Sequence, residues 1–575
     1  MQALTQPPFL PMTRAEMTAC GWDELDILLL SGDAYVDHPS FAQALLGRFL
    51  VSQGFRVGVL AQPNWRDPES IKGMGRPRLF CGIGSGAVDS MLANYTAFRQ
   101  KRKSDAYAPA GRMGLRPNRA TIVYANLARQ AFPNLPIVLG GIEASTRRLT
   151  HYDFWSDSLR KPILLDAKAD VLVYGMGERA ILAIAKALAK GDRIKGLAGT
   201  AWVTSARDVL ARDWSKEYGT VAQIIFPSHE ELLKNKDCLL NQAQLLESQI
   251  HKHAVGYEIV GERAVVLAPP ALPLTTSELD ELYTLPFRRL AHPSYQEPIP
   301  AADMIKTSLT SHRGCGGGCA FCSLAMHQGR HISSRSMESI VAEATYLAQN
   351  FASKRRGGGV AISDVGGPTA NMWMGVCQRK DPTKCARVSC CYPKVCPHFY
   401  VPQNEHIKLL RRIAAISGVK QVRVASGIRA DLSLQDVESL KIYVREFTGG
   451  QLKLAPEHCV PHILELMRKP PLQIFEDFLA VFTSETKKIG RKQYIVPYLL
   501  SSYPGSTDDD MRELRDWLAK RHWSPKQVQC FIPTPGTVAT AMYYCEKNER
   551  GEKIYVAKTD AARLRQHRIL LAEMR

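Results

Sequence analysis

The chain lacks any run of about 18 apolar residues, the length that a helix needs to cross a lipid bilayer. Its opening residues, MQALTQPPFL, contain no apolar segment of the kind that secretory signals carry. No internal repeat or low-complexity tract appears, which excludes repeat architectures. These absences predict a cytoplasmic protein with no membrane partner. In a reducing cytosol its 14 cysteines serve metal binding or chemistry rather than disulfides.

Acidic residues are scarce relative to basic ones. The 55 Asp and Glu face 74 Lys and Arg, which gives a net charge of +19 and a pI of about 9.3. This balance favours an anionic partner such as RNA, a nucleotide or an acidic protein. Part of the excess positive charge lies in residues 99–119, where Asp105 is the one acidic residue. That stretch contains Arg99, Lys101, Arg102, Lys103, Arg112, Arg116 and Arg119. The alternative to an RNA surface is a solvated loop, because no recognised RNA-binding module accompanies it.

Three cysteines lie close together in Ser311–Cys322, which reads SHRGCGGGCAFC. A [4Fe–4S] cluster normally takes four cysteine ligands, so Cys315, Cys319 and Cys322 would leave one iron free to bind a small molecule. The glycines between the first two cysteines carry no Cβ, which lets the loop adopt positive φ angles and place three sulfurs around one face. Zinc, with His312 as a fourth ligand, is the alternative.

A second group of cysteines lies further along the chain. It comprises Cys377, Cys385, Cys390, Cys391 and Cys396, with His398 two residues on. Thiolates and an imidazole at this density are typical of zinc or of a second iron–sulfur centre. The spacing matches no standard zinc knuckle, so the identity of the metal stays open, and buried free cysteines are the alternative. The six remaining cysteines are scattered and are assigned no role.

The first part of the chain, about 200 residues, alternates short apolar runs with amphipathic stretches, which predicts a parallel sheet covered by helices. The candidate strands are Asp26–Leu30, Val57–Leu60, Pro136–Leu139 and Asp170–Tyr174. Helices are predicted over Phe41–Val51 and Glu178–Ala189, the second closed by Gly191. Two strands run into glycines, at 139–142 and 174–178. Because doubly wound sheets bind ligands at this edge, the region holds either a nucleotide-like molecule or cofactor, or only tight βα turns.

Residues 205–300 show weaker periodicity. They contain a helical stretch near Asn241–His251 and a proline-dense segment, Leu267–Pro273. Prolines at this density stiffen a linker and stop secondary structure, so we expect a connector here and a domain boundary close to Pro300.

From Ile305 the alternation resumes with six strand–helix units. Their strands are predicted at Ile305–Thr310, Gly359–Asp364, Gln421–Ser426, Gln451–His458, Gln493–Leu500 and Gln527–Ile532. Six units predict an incomplete barrel of the TIM type, with its chemistry at the carboxyl ends of the strands. The expected organisation is α/β throughout. It comprises a Rossmann-like, doubly wound domain at 1–204, a connector or helical region at 205–300, a partial (β/α)6 barrel at 301–535 with the cysteine-rich insertion 377–398, and a C-terminal extension at 536–575.

The three-cysteine spacing, with the aromatic Phe321 before the last cysteine, is similar to that of the radical SAM superfamily. Longer stretches resemble its YgiQ-type members over about residues 20–550. These are 140–148, 151–154, 174–178, the cysteine segment, 366–370, the insertion 385–397, 426–429, 454–458, 497–505 and 533–544. The resemblance implies a [4Fe–4S] cluster, S-adenosylmethionine, a Rossmann-like N-terminal domain and an electron donor such as flavodoxin or ferredoxin. In this superfamily, one electron breaks a sulfonium C–S bond to release a 5′-deoxyadenosyl radical.

On the predicted barrel, residues that contact S-adenosylmethionine fall at strand ends and in the cysteine segment. The candidates are Phe321, Gly366, Gly367, Ser426, Arg429 and Glu457. The two glycines can bring backbone groups close to the amino group of the ligand. The arginine can pair with its carboxylate, and the glutamate can accept hydrogen bonds from the ribose. Taken singly, each has a commoner structural explanation: a tight turn, a capping serine or a rim salt bridge.

The glycine-rich strand ends of the N-terminal region are also similar to cobalamin-binding domains of other radical SAM enzymes. The lower cobalamin ligand there is often carried by Asp-x-His-x-x-Gly, whereas Asp33–His38 lacks that spacing. The sequence therefore argues against histidine-ligated cobalamin and leaves open a site without such a ligand. The expected function is a radical SAM enzyme whose substrate the sequence does not identify. The alternatives are an RNA-modifying methyl- or methylthio-transferase of the same superfamily, and a non-catalytic iron–sulfur or zinc protein that binds nucleic acid.

Overall fold

A computed structural model describes residues 4–219, 221–353, 358–525 and 528–571. The chain divides into two compact units. Unit 1 comprises the chain up to Leu272 together with Leu285–Lys306, and unit 2 comprises Pro273–Thr284 and the chain from Thr307 onward.

Unit 1 is built on a nine-stranded sheet of order β2-β1-β3-β4-β7-β8-β11-β10-β9 and a separate β5–β6 hairpin. The strands are β1 (Ile27–Ser31), β2 (Val57–Ala61), β3 (Phe80–Gly84), β4 (Ile137–Leu139), β5 (His151–Asp153), β6 (Ser158–Arg160), β7 (Val171–Val173), β8 (Thr200–Ser205), β9 (Gln223–Ile225), β10 (Val255–Val260) and β11 (Arg263–Leu267). The ladders from β2 through β7 are parallel, those joining β7, β8, β11 and β10 are antiparallel, and β10–β9 is parallel.

The parallel half of this sheet follows the sequence pattern closely. The four candidate strands are confirmed as β1, β2, β4 and β7. All five residues of the central strand β1 are buried, as expected for a parallel strand with helices on both faces. The order β2-β1-β3-β4 is that of doubly wound sheets. Strand β3 was not predicted, because glycine occupies two of its five positions and weakens the apolar signal.

Residues 205–300 differ from the prediction of a connector. They contribute β9, β10 and β11 to the sheet of unit 1. β10 and β11 are joined by Gly261 and Glu262, and Gly261 has a φ of 60°. A two-residue hairpin turn needs such left-handed backbone, so glycine at this position was a usable turn signal. The chain passes between the units at Leu272, Leu285 and Lys306 rather than near Pro300 alone.

Among its described residues, unit 2 contains seven strands that pair in parallel with another strand, plus short antiparallel pairs. The strands are β12 (Ser308–Thr310), β13 (His312–Arg313), β14 (Ser333–Ser334), β15 (Val360–Ile362), β16 (Asp364–Gly366), β17 (Val376–Cys377), β18 (Phe399–Tyr400), β19 (Val419–Val422), β20 (Gln451–Glu457), β21 (Tyr494–Ser501) and β22 (Gln529–Cys530). The parallel ladders are β12–β16, β15–β19 and β20–β21–β22. β13–β14 and β17–β18 are antiparallel.

All six predicted strands of this region are found, with shifted ends. The third begins at Val419 and ends at Val422, earlier than predicted. The predicted start of the sixth, Gln527, lies outside the described residues. Within the described ranges, no ladder joins β19 to β20.

Helices cover the sheets and end at the expected signals. They are α1 (Arg14–Ala19), α2 (Ala42–Ser52), α3 (Ser90–Asn94), α4 (Ala120–Ala131), α5 (Gly141–Thr146), α6 (Ile163–Asp166), α7 (Glu178–Lys190), α8 (Ala206–Ala211), α9 (Ser215–Tyr218), α10 (His229–Lys234), α11 (Cys238–His251), α12 (Thr276–Tyr283), α13 (Pro300–Ile305), α14 (Ser323–Gln328), α15 (Met337–Phe351), α16 (Gln403–Ala414), α17 (Ala430–Ser433), α18 (Val437–Ile442), α19 (Pro461–Leu466), α20 (Leu472–Ile489), α21 (Asp508–Ala519), α22 (Val538–Cys545) and α23 (Asp560–Leu571). Gly191, with a φ of 77°, ends α7 as predicted. Over the described part of the chain, none of these helices has the length and apolarity to traverse a membrane.

Candidate functional site

The cysteine loop, residues 314–322, links β13 to α14 in unit 2 and follows the carboxyl end of β12. Backbone hydrogen bonds anchor it along its length. The N–H of Cys315 donates to the carbonyl oxygen of Gly329 at 3.1 Å, and the N–H of Cys322 donates to that of Cys319 at 3.1 Å. The three cysteines are therefore held in one compact turn that ends where α14 begins.

The glycines of the cysteine loop are buried in positions that leave no space for a side chain. A Cβ on Gly316 would lie 3.2 Å from the Cβ of Cys390. Gly318 has a φ of +60°, and a Cβ there would lie 2.6 Å from the carbonyl oxygen of Val388. Glycine is thus required here by close packing as well as by backbone conformation.

The three thiols of the loop influence one another. Desolvation raises the pKa of the Cys322 thiol to about 12, and the neighbouring Cys319 and Cys315 add to the rise. Desolvation also raises the pKa of Cys315, whereas Arg429 and Lys469 act to lower it. Two cations therefore lie near the thiols and favour the thiolate forms that metals require.

The cysteine-rich insertion packs directly on this loop. Ser389 is fully buried, and its Oγ–H donates to the carbonyl oxygen of Gly317 at 2.6 Å. The Oγ of Ser389 in turn accepts from the N–H groups of Cys391 and Tyr392, at 3.0 and 2.9 Å. The N–H of Cys390 donates to the carbonyl oxygen of Gly316 at 2.8 Å. Sequence reasoning missed Ser389, because only the fold brings it to a partner 72 positions away.

Ser389→Ala should leave the fold intact but weaken metal retention. The change removes the side-chain bond to Gly317, and a lost buried hydrogen bond of about 1–2 kcal/mol corresponds to a roughly 5- to 30-fold faster release. The measurement is the rate at which anaerobically reconstituted protein yields iron to a chelator. Thr383→Ala is the matched control, since that hydroxyl bonds Asp381 within the same insertion. Equal release rates for the two variants would contradict the role of Ser389.

Two predicted ligand residues, Gly366 and Ser426, lie side by side at strand ends. A Cβ on Gly366 would lie 2.2 Å from the Oγ of Ser426. Ser426 donates its N–H and Oγ–H to one carboxylate oxygen of Asp364, at 3.0 and 3.2 Å, and the N–H of Ala425 donates to the same oxygen at 2.7 Å. Burial raises the pKa of Asp364. This aspartate, which the sequence reasoning did not identify, joins the ends of β15–β16 and β19.

Gly367 lies against His312 instead of an open site. A Cβ on this glycine would lie 2.8 Å from the Nε2 of His312. The imidazole is buried, its pKa is lowered by burial to about 3, and its Nδ1 lies 2.9 Å from the Oγ of Ser311. His312 therefore packs against Gly367. The structure gives no support to the zinc-ligand role that was the alternative from the sequence.

Arg429 lies against the cysteine loop, but its charge is already paired. Its Nε and Nη2 donate to the two carboxylate oxygens of Asp431 at 2.9 and 2.6 Å. Its Nη1 faces Gly317, where an added Cβ would lie 2.9 Å away. The sequence predicted that Arg429 would be free to pair with a ligand carboxylate. In the structure Asp431 holds two of its nitrogens, and the third, Nη1, faces the cysteine loop.

Glu457 lies close to the cysteine loop, and Phe321 belongs to it. Glu457 ends β20 with a φ of 66°, an unusual conformation for a residue other than glycine. Its carboxylate is 3.7 Å from the Nζ of Lys469, burial raises its pKa, and its charge raises the pKa of Cys322. Phe321 packs edge-on against Tyr503, with ring centroids 6.1 Å apart.

A metal at the second cysteine group stays a prediction, since three of its thiols, Cys377, Cys385 and Cys396, lie close enough to Cys390 to raise the pKa of that thiol. Among the residues that the structure describes, no three or more His, Cys, Asp or Glu are arranged to hold a metal ion. Cys391 and Cys396 instead join an apolar cluster with Met372 and Phe399, and His398 is exposed. For the cysteine loop the same finding argues against a single zinc ion, whose ligands converge on one point. It does not bear on a cubane, whose sulfur ligands bind separate irons.

Part of the basic stretch of unit 1 is engaged inside the fold. Arg116 is fully buried, 2.7 Å from Asp33 and 3.1 Å from Asp105. Arg119 pairs with Asp153 at 2.9 Å. Arg116 therefore stabilises unit 1, and an anionic partner for the rest of the stretch stays a prediction.

Comparison with known proteins identifies the family. Residues 9–308 match the family model described as Radical SAM N-terminal, and residues 526–572 match a domain of unknown function, DUF3362. A UPF0313 protein of Thermotoga petrophila is 45% identical over 96% of this chain and 96% of its own. One from Rhodopseudomonas palustris is 43% identical over 94% of this chain and 82% of its own, and one from Methanosarcina acetivorans is 44% identical over 97% and 77%.

The fold is also similar to a solved structure. The radical S-adenosylmethionine methyltransferase TsrM from Kitasatospora setae, with tryptophan and a SAM analogue bound, superposes with a TM-score of 0.50 at 14% identity. The superposition covers 89% of this chain and 74% of that one. At this identity the likeness concerns the fold alone. The sequence relatives and the matching model together show that the chain belongs to the UPF0313, or YgiQ-type, family of the radical SAM superfamily.

Proposed function

We propose that this protein is a radical SAM enzyme in which Cys315, Cys319 and Cys322 hold a [4Fe–4S] cluster. The cysteine loop carries the proposal. Its thiols share one environment, and its glycines permit no Cβ where the backbone turns. A loop of this kind fits a bulky inorganic group held by three sulfurs. Together with bound S-adenosylmethionine, such a cluster supplies the electron that cleaves a C–S bond to give a 5′-deoxyadenosyl radical.

The residues around the loop are proposed to bind and orient S-adenosylmethionine. Arg429, oriented by Asp431, offers Nη1 to a carboxylate near the loop. Ser426, held by Asp364, lies beside the backbone of Gly366. Gly367, Glu457 and Phe321 complete the proposed set.

The scaffold proposed for this site is an incomplete parallel barrel. The ladders β12–β16, β15–β19 and β20–β21–β22 support it, since each joins strands in the order in which they follow along the chain. The cysteine loop, Ser426 and Glu457 all follow or end such strands, which is where barrels place their chemistry.

The test is anaerobic reconstitution with iron and sulfide. The expected product is a brown protein that converts S-adenosylmethionine and dithionite to 5′-deoxyadenosine. A colourless zinc protein, or a brown protein whose spectrum ignores added S-adenosylmethionine, would contradict the proposal. Flavodoxin or ferredoxin in place of dithionite tests the proposed physiological donor.

Methyl transfer is the second candidate, favoured by the likeness in fold to TsrM. A TsrM structure also contains cobalamin, yet His38 does not fit a cobalamin-ligand role here. Its Nδ1 accepts from the N–H of Ser40 at 3.0 Å, and its Nε2 lies 3.0 Å from a guanidinium nitrogen of Arg289. We therefore derive no step through cobalamin. Transfer of a labelled methyl group to RNA or to another anionic acceptor would favour this candidate over substrate radical formation alone.

A further inference from the structure

A cavity in unit 1 is lined by a polar segment that the proposed function does not use. The segment, residues 140–153, follows β4 and contains α5 and β5. It lies at the carboxyl edge of the parallel strands, because β4 pairs in parallel with both β3 and β7. Ligands of open α/β sheets bind at this edge. A Cβ added at Gly140 or Gly141 would meet nothing within 4 Å, so the backbone there borders open space.

Arginines form much of the cavity wall. Arg119, Arg147 and Arg160 line it, together with His151 and the carboxylates Glu143, Asp153 and Asp166. The Nε and Nη2 of Arg119 bond Asp153, the Nη1 of Arg147 bonds Asp89, and the Nη2 of Arg160 bonds Asp166. Each guanidinium carries five N–H donors, so these ion pairs orient the arginines without using all of their donors.

Glu143 is fully occupied by the backbone. Its two carboxylate oxygens accept from the N–H of Ser90 at 2.8 Å and from the N–H of Thr121 at 3.0 Å. It therefore stabilises the first turns of α3 and α4, and its charge also raises the pKa of Arg147. An anion entering the cavity would meet the guanidinium N–H groups that the ion pairs leave unused.

His151 supplies a hydrogen-bond acceptor to the same cavity. The imidazole is 4% exposed, and burial with the nearby Arg147 lowers its pKa to about 3, so the ring is neutral. Its Nδ1 lies 3.0 Å from the carbonyl oxygen of Leu149, which can only accept, so Nδ1 carries the hydrogen. Nε2 is then a lone pair, and it has no partner among the described residues. A buried acceptor without a donor is costly, which distinguishes this cavity from a purely structural ion-pair network.

From these observations we propose that the cavity binds a small oxyanion that also bears a hydroxyl: its negative oxygens face the arginines, and its O–H donates to Nε2 of His151. Hydrogen phosphate and α-hydroxycarboxylates share this chemistry. The cavity has room for about one water molecule. Binding therefore moves Arg119 and Arg160, whose side chains are 27% and 30% exposed.

The test compares matched anions by titration calorimetry on the full-length protein in phosphate-free buffer. Phosphate is paired with sulfate and glycolate with acetate, because the second member of each pair lacks the hydroxyl. We expect the hydroxylated member of at least one pair to bind about tenfold more tightly than its partner, since the acceptor stays unpaired otherwise. Which pair discriminates identifies the ligand class. Failure of both hydroxylated anions to bind, or equal binding within both pairs, would overturn the proposal.

Variants separate the two recognition elements. His151→Phe should abolish the preference within a pair, whereas Arg160→Gln should weaken all bound anions and keep the preference. Arg129→Gln is the control, because Arg129 is similarly exposed and pairs with Asp170 at 3.0 Å at the other end of α4. A cluster-free variant such as Cys319→Ala should bind the anion normally, so failure here is distinguishable from failure of the enzyme proposal. An unchanged preference in folded His151→Phe would contradict the role of the imidazole.

Discussion

Cys319→Ala is expected to abolish cluster binding and with it the cleavage of S-adenosylmethionine. The variant retains only two cysteines in the loop, and two sulfurs leave half of a cubane without ligands. Removing one ligand should lower 5′-deoxyadenosine formation by more than roughly 100-fold. The loss of a residue that only hydrogen-bonds to a metal ligand already lowers metal affinity or activity by about 10- to 100-fold. The measurements are iron per chain, visible absorbance and product formation after identical anaerobic reconstitution.

Cys20→Ala is the matched control for that experiment. Cys20 is a partly exposed thiol at the end of α1 in unit 1, remote in sequence from the loop. It should keep wild-type iron content and activity. If Cys319→Ala retained both full iron content and full cleavage, the assignment of the cysteine loop would be refuted. Zinc in place of iron in wild-type protein would favour the binding-protein alternative.

Gly318→Ala is the second change with a large expected effect. At a φ of +60° an alanine costs about 1–2 kcal/mol through backbone conformation alone. The added Cβ would also lie 2.6 Å from the carbonyl oxygen of Val388 and 2.8 Å from the Cβ of Ser389. Both neighbours belong to the insertion that holds the loop, so the loop must move away from its anchor. We expect iron content after reconstitution to fall to a small fraction of the wild-type value.

Gly490→Ala is the control for Gly318→Ala, because it introduces the same backbone strain without a steric clash. Gly490 has a φ of +68° in the same unit, but a Cβ there would meet nothing within 4 Å. It should lower thermal stability modestly and leave iron content unchanged. Equal iron content in the two glycine variants would show that the insertion does not constrain the loop.

Much of the fold, and the position of the cysteine loop, could be predicted from local sequence patterns. The cysteine spacing identified the loop, because its three cysteines lie within eight consecutive residues and need no distant contact to come together. Four strands of unit 1 were predicted because buried parallel strands are continuous apolar runs, and six of unit 2 were predicted from runs that in β20 alternate between buried and exposed positions. β3 was missed where glycines interrupt the run, whereas β9 to β11 were missed although β10 and β11 are largely buried.

Long-range contacts decided what surrounds the loop. Asp364 reaches Ser426 across 62 positions, and Ser389 reaches Gly317 across 72. Neither partner carries a local signal, because a serine or an aspartate is common at turns. The second metal that the density of cysteines in the insertion predicts stays a prediction; the fold places Cys391 and Cys396 among apolar side chains.

The order of residues alone determined the family, the cysteine loop and the alternation of strands and helices, because each depends on neighbours along the chain. Only the tertiary structure showed that the insertion hydrogen-bonds to the loop and that Asp431 pairs with Arg429. It also showed that His151 lines a cavity and that its Nε2 has no hydrogen-bond partner among the described residues. These depend on packing between segments far apart in sequence. Such contacts depend on how the whole chain folds, and the periodicity of neighbouring residues does not predict them.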